Sequence, residues 1–145
     1  LFLLVVATVY TLDVTVINEC DERIEVLFEG GLRVGDDGRN RTSIEPSESY
    51  HRNVSSHYGS ITATGISSGN AMRGRTEAVF FNLFGPSFAI SIFEGFDYPM
   101  KIVTSSGKKI TCEKRACFGK FLGLPIPIQT ATAPPDGKFD VTFCI

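Results

Sequence analysis

The residues with the clearest chemistry in this sequence are its four cysteines, Cys20, Cys112, Cys117 and Cys144. An even number of thiols permits two disulfides, and four cysteines can pair in three ways. A bond between the first and the last would close nearly the whole chain into one loop, worth about 5 kcal/mol as an upper chain-entropy estimate. The middle two have the spacing C-x4-C, and a bond between them would be worth about 2 kcal/mol on the same basis. The sequence alone leaves the pairing open.

Two N-glycosylation sequons begin at Asn40 and Asn53, in a polar, turn-rich stretch where a glycan can be accommodated without burial. The first ten residues, LFLLVVATVY, form an uncharged apolar run that resembles a signal-peptide core and is too short to span a bilayer. We predict that residues 1–11 are a signal-peptide remnant, with a buried first strand as the alternative. Paired cysteines and sequons favour an oxidising destination, so residues 12–145 are expected to form a single secreted, extracellular domain.

Charge and composition exclude several functional classes. The sequence has 14 Lys and Arg against 16 Asp and Glu, a formal net charge of −2, whereas nucleic-acid binding needs a clustered excess of positive charge. No later apolar run approaches membrane-spanning length, so we predict neither a nucleic-acid partner nor stable membrane insertion. His51 and His57 do not make a zinc site with oxidised cysteines. We therefore expect a monomer without a metal or another cofactor.

The elements that position these residues are predicted to be β-strands. Short runs rich in Val, Ile, Thr and Phe recur between clusters of Gly, Ser, Asn, Asp and Pro, a pattern typical of strands and turns. Residues 13–18 and 23–28 predict an early hairpin, and 88–93, which is largely apolar on both faces, predicts a central strand. Residues 100–112 predict a second hairpin, and 138–143 a closing strand. We predict an all-β sandwich of antiparallel strands with no large helical domain and with the phenylalanines in its core.

Three segments share a pattern with a known protein family. Residues 14–20, VTVINEC, are similar to a family strand that ends Asn-x-Cys, and residues 139–144, FDVTFC, to one that ends Val-Thr-Phe-Cys. Residues 89–100, AISIFEGFDYPM, resemble the family's Asp-Ile-Ser-Leu-Val-Asp-Gly-Phe-Asn-x-Pro-Met. The family is that of the thaumatin-like proteins, which includes the pathogenesis-related and osmotin-like proteins. The resemblance implies a thaumatin-like β-sandwich in which Cys20 is bonded to Cys144.

Part of the family pattern is missing from this chain. Full-length family members carry many more cysteines and a disulfide-rich second domain after the C-x4-C pair, where this chain has only residues 118–135. The comparison therefore implies a reduced, single-domain form. Because the family partners of Cys112 and Cys117 lie in or beyond the missing domain, the resemblance implies that these two bond to each other.

The acidic cleft of the family is depleted in this chain. In the family this cleft is associated with β-glucan binding and, in some members, with weak glucanase activity. By local alignment the family Glu falls on Val79 and one family Asp on Ala89, so that only Glu94 is carried over. A glycoside hydrolase usually needs two carboxyl groups, and Asp97 or Glu77 is available as the second. The catalytic candidates are Glu94 and Asp97, and the candidate carbohydrate-binding residues are Glu94, Asp97 and Glu77.

The sequence thus predicts a secreted thaumatin-like protein of defence or host interaction. We expect it to bind cell-wall β-glucan or a surface protein without catalysis. A weak endo-β-1,3-glucanase that uses Glu94 with Asp97 is the enzymatic alternative. A protein-binding inhibitor or effector, with contact loops in residues 30–74, is the third hypothesis.

Overall fold

The computed structural model describes residues 10–33, 35, 37–65, 75–82, 85–115, 117–121 and 124–145. The signal-peptide remnant predicted for residues 1–11 lies almost wholly outside this described part. The described residues contain strands and no helix, and therefore no helix that is long and apolar enough to cross a membrane. The strands in chain order are β1 (Leu12–Asn18), β2 (Ile24–Gly30), β3 (Arg41–Ile44), β4 (Ser49–Val54), β5 (Gly59–Gly65), β6 (Glu77–Asn82), β7 (Pro86–Ser91), β8 (Met100–Thr104), β9 (Lys109–Cys112), β10 (Gly119–Phe121), β11 (Leu124–Ile126), β12 (Ile128–Thr132) and β13 (Lys138–Phe143).

Two sheets pack face to face around the core. One sheet has five strands in the order β4-β1-β13-β8-β9, and the other has six in the order β12-β7-β6-β5-β2-β3. Strands β10 and β11 form a separate two-stranded ribbon. The predicted all-β sandwich is confirmed. Among the described strand pairs only β1 and β13 run parallel, so the expectation of purely antiparallel pairing needs this one correction.

The early hairpin predicted between the first two strands is wrong. Strand β1 pairs with β13 and β4, whereas β2 pairs with β3 and β5 in the other sheet. The buried Asn18 organises this crossover: its side-chain amide donates to the carbonyl oxygens of Glu22 (2.9 Å) and Ile44 (2.8 Å), and its Oδ1 accepts from the Cys20 N–H (2.8 Å). The Asn18 side chain thus replaces hydrogen bonds that the backbone would make to a partner strand in a hairpin. The chain can therefore leave one sheet and enter the other without leaving these backbone groups unpaired.

The core is built by alternation along the strands. In β1 and β8 every second residue is buried, as expected when one face of a sheet covers a core. The rings of Phe80, Phe88 and Phe139 meet edge to face, with centroids 5.0 and 5.1 Å apart, and the buried His57 packs beside them. Its Nε2 bonds to the Ser87 carbonyl oxygen at 2.9 Å, and burial lowers its pKa. A neutral histidine therefore completes this aromatic cluster.

Two phenylalanines depart from the predicted core. Phe93 is 75% exposed and Phe118 is 52% exposed, whereas Phe28, Phe80 and Phe143 are fully buried. The reason is position: each exposed ring lies outside the strands, where alternation no longer decides which way a side chain points.

The structure contains one of the two implied disulfides. Cys20 and Cys144 are bonded, and the Glu19 N–H donates to the Phe143 carbonyl oxygen at 3.0 Å beside them. Cys112 and Cys117 are instead buried free thiols, which corrects the implied second bridge.

Each of these free thiols has a partner other than a disulfide sulfur. The Cys112 thiol donates to the Lys114 carbonyl oxygen at 3.5 Å and the Cys117 thiol to that of Thr111 at 3.4 Å. The side-chain amide of Gln129 also donates to the Cys117 sulfur at 3.1 Å. Burial, together with a hydrogen bond to the neighbouring Cys117 thiol, raises the pKa of the Cys112 thiol to about 12, so this sulfur is protonated at neutral pH.

Reduction of the Cys20–Cys144 bond should lower the free energy of unfolding by about 2–5 kcal/mol, because the bond restricts almost the entire unfolded chain. Urea unfolding with and without dithiothreitol measures this loss. The Cys112→Ser/Cys117→Ser variant should keep the full response to dithiothreitol. The Cys20→Ser/Cys144→Ser variant should lose no stability in dithiothreitol. An equal loss in that variant would contradict the Cys20–Cys144 bond.

Candidate functional site

The three candidate carboxyl groups belong to one end of the six-stranded sheet. Glu77 begins β6 and pairs in register with Ser91, the last residue of β7. The chain then forms a loop, residues 92–99, that leaves this sheet and enters β8 of the other sheet. The Arg75 N–H donates to the Glu94 carbonyl oxygen at 3.1 Å, so the loop is tied to the start of β6. The segment that resembles the family pattern therefore includes this loop, which contains the candidate residues Glu94 and Asp97.

Asp97 holds this loop in place. Its Oδ1 accepts from the backbone N–H groups of Thr76 (2.9 Å) and Tyr98 (2.7 Å), and its own N–H donates to the Thr76 hydroxyl oxygen at 3.2 Å. Burial raises the pKa of Asp97, and these hydrogen bonds oppose that rise. The carboxylate is committed to backbone donors, which gives Asp97 a positioning role in the loop.

Glu77 interacts electrostatically with two other carboxyl groups, those of Glu94 and Glu29. Glu77 is half-buried, and its pKa is raised first by that burial and then by the negative charges of Glu94 and Glu29, against the opposing charge of Arg75. Glu94 is exposed. Carboxyl groups at such a surface can hydrogen-bond to hydroxyl groups of a ligand. Glu77 and Glu94 thus remain candidate binding residues, whereas the hydrogen bonds of Asp97 go to the backbone of the loop.

The exposed ring of Phe93 completes the candidate site. Phe93 immediately precedes Glu94, and its N–H donates to the Ser91 hydroxyl at 3.2 Å. Sequence reasoning missed it because the alternating pattern extended β7 to residue 93, whereas the strand ends at Ser91. The Glu-Gly pair that follows Phe93 could have indicated this, because glycine is typical of turns. A side chain in a turn does not follow the alternation of the strand before it.

The remaining predicted sites lie elsewhere. Asn53 is exposed on β4, an edge strand of the five-stranded sheet. Asn40 is half-buried just before β3, and its carbonyl oxygen accepts from the Phe28 N–H at 2.8 Å. His51 pairs with Asp13 at the surface. Within the described ranges, no three or more His, Cys, Asp or Glu side chains come together as metal ligands.

Comparison with known proteins gives matches in structure and none in sequence. No family model matches the chain, and no curated protein matches it in sequence. Among solved structures, the thaumatin-like xylanase inhibitor TLXI superposes with a TM-score of 0.61 at 19% identity, over 91% of this chain and 99% of the inhibitor. The fold is thaumatin-like. The protein elicitor MoHrip2 from Magnaporthe oryzae superposes with a TM-score of 0.62 at 11% identity, over 92% of this chain and 99% of the elicitor.

These likenesses confirm the thaumatin-like β-sandwich implied by the terminal strands. They extend over nearly the whole of both neighbours, so neither neighbour has a large additional domain that this chain lacks. In this thaumatin-like structure, the described part of residues 118–135 folds into the β10–β11 ribbon and β12.

Glu94→Gln should lower the pKa of Glu77, because it removes a like charge and leaves burial as the main cause of the shift. Carbon-detected NMR titration of the Glu77 carboxyl group measures the change. Glu48→Gln, which removes the same charge from an exposed turn, is the matched control and should leave that pKa unchanged. An unchanged pKa in Glu94→Gln would show that the two groups do not interact.

Proposed function

We propose that the chain is a secreted, non-catalytic recognition module that acts in defence or host interaction by binding a partner at a cell surface. The two similar folds support this proposal, since one is described as a protein elicitor and the other as a xylanase inhibitor. The bond between Cys20 and Cys144 supports an extracellular location, because structural disulfides persist in oxidising compartments.

The observation that carries the non-catalytic proposal is the commitment of Asp97. Its Oδ1 accepts two backbone N–H groups and the residue is half-buried, so this oxygen holds the loop and is not available to a substrate. The acid pair inferred from the sequence, Glu94 with Asp97, is therefore not favoured by the geometry. What remains exposed at the site is suited to binding: the Phe93 ring, the Glu94 carboxylate and the edge of Glu77.

We propose β-glucan as the ligand of this site. The flat, apolar ring of Phe93 offers a stacking surface for a sugar, and the two neighbouring carboxyl groups can accept hydrogen bonds from sugar hydroxyls. A surface protein is the alternative partner, as expected for an inhibitor or effector whose contact loops lie in residues 30–74.

Insoluble β-1,3-glucan should retain the wild-type protein in a pelleting assay. Phe93→Ala and Glu94→Ala should each weaken binding about tenfold, which corresponds to roughly 1.4 kcal/mol. Phe118→Ala and Glu48→Ala remove an exposed ring and an exposed carboxylate elsewhere and should bind normally. Failure of the wild type to bind would exclude glucan and leave the surface protein as the proposed partner.

A weak endo-β-1,3-glucanase is the second candidate, and one observation favours it. The raised pKa of Glu77 beside the exposed Glu94 resembles the division of labour in glycosidases, where one carboxyl group is the acid and the other the nucleophile or base. On this hypothesis the catalytic pair would be Glu77 and Glu94, with Asp97 positioning the loop.

Reducing-sugar release from laminarin decides between the two candidates. The recognition module should release none, in the wild type as in any variant. If release is observed, Glu77→Gln and Glu94→Gln must each abolish it for the enzymatic hypothesis to hold, because each removes one of the two required groups. Release that survives either substitution would indicate a contaminating enzyme.

A further inference from the structure

A groove lies near the β3 edge of the six-stranded sheet, on the opposite side from β7 and β12, where the chain leaves β2 and enters β3. It has a volume of about 370 Å³ and a floor formed by Leu27, Phe28 and Gly30. Its polar lining consists of Glu29, Arg33, Asn40 and Arg41. The volume falls within the range typical of small-ligand sites.

An exposed tyrosine stands at the rim of this groove. The Tyr58 side chain is 66% exposed, and its ring lies directly against Gly30. A Cβ atom at Gly30 would come within 3.0 Å of the ring and within 2.9 Å of the Gly59 Cα, and Gly30 has a φ of +69°. Both the lack of space for a Cβ atom and the positive φ favour glycine at this position. Because Gly30 has no side chain, the Tyr58 ring can lie beside the groove.

The charges of the groove are two guanidinium groups and one carboxylate. Arg41 donates to the Glu25 carboxylate at 3.0 Å on the sheet surface. No carboxylate in the described part of the chain forms an ion pair with Arg33. The Ser60 hydroxyl lies 3.5 Å from a Glu29 carboxylate oxygen. The groove therefore has a net positive lining with one guanidinium group available to a ligand.

The loop that carries Arg33 is held from below by a buried arginine. Arg52 is only 2% exposed; its Nη1 donates to the carbonyl oxygens of Leu32 (2.8 Å) and Arg33 (3.3 Å), and its guanidinium lies 4.0 Å from the centroid of the Phe28 ring. Its Nη2 also donates to Asp37 at 3.2 Å. The loop is thus anchored before any ligand arrives, which reduces the entropy cost of binding.

We propose that this groove binds an acidic oligosaccharide. The guanidinium fork of Arg33 holds a uronate carboxylate, since planar guanidinium groups match carboxylates in a bidentate geometry, while Arg41 stays paired with Glu25. The Tyr58 ring packs against a sugar ring, and Glu29 accepts hydrogen bonds from its hydroxyls. This site shares no residue with the Glu77–Glu94 site, so the inference does not depend on glucan binding there.

Calorimetric titration with trigalacturonate tests the site. The protein is produced in a bacterial periplasm, where the disulfide forms and Asn40 stays unmodified. The wild type should bind, and Arg33→Gln and Tyr58→Ala should each weaken binding at least tenfold. Both side chains are exposed, so folding should be unaffected. Arg23→Gln removes the same charge from an exposed pair with Glu45, and should bind as the wild type does.

Three results would overturn the proposal. The first is no binding of trigalacturonate by the wild type. The second is an equal loss in Arg23→Gln and Arg33→Gln, which would reduce the effect to net charge. The third is equally tight binding of laminaritriose, which lacks the carboxylates, or of triglutamate, which lacks the sugar rings. Insoluble β-1,3-glucan retention is measured separately, so the failure of one site is distinguishable from that of the other.

Discussion

The parallel pairing of β1 with β13 is the contact on which the rest of the structure depends. The pair joins the first and last strands over six residues in register, from Asp13 with Lys138 to Asn18 with Phe143. It lies in the middle of the five-stranded sheet, with β4 added on one side and β8 on the other. Such long-range pairing has a high loop-closure cost, and the Cys20–Cys144 bond reduces that cost by linking the strand ends.

This central pair also determines where the chain must cross between sheets. Because β1 has both neighbours filled, β2 starts in the other sheet, and Asn18 binds the backbone of the crossover. The loop between β7 and β8 makes another crossing at the end of the sandwich, held by Asp97. The candidate site is a product of that crossing, since Phe93 and Glu94 point outward where neither sheet can bury them.

The sequence allowed much of the sandwich to be predicted and less of the site. Alternation located β1, where every second residue is buried, β13, where Phe139, Val141 and Phe143 are buried, and the β8–β9 hairpin about a glycine turn. It could not assign strands to sheets, because β1 and β2 are amphipathic in the same way and differ only in partners far along the chain. The separate roles of Asp97 and Glu94 depend on Thr76, a contact that local sequence does not reveal. The contacts of Cys112 and Cys117 with backbone carbonyl groups and with Gln129 are likewise not visible in the local sequence.

Three polar side chains hold the loops. The buried Asn18 and Arg52 and the half-buried Asp97 each hydrogen-bond to backbone groups of a connection, and Arg52 also donates to the Asp37 carboxylate. A buried polar group that loses its partner costs more than an exposed contact contributes, so these bonds fix loop geometry more firmly than surface pairs do. The exposed Phe93 and Arg33 thus lie in loops that Asp97 and Arg52, respectively, tie to the sandwich. Each surface has its own anchor, Asp97 for one and Arg52 for the other, and the charge of Glu29 in the Arg33 groove reaches Glu77 of the other surface across the sheet that they share.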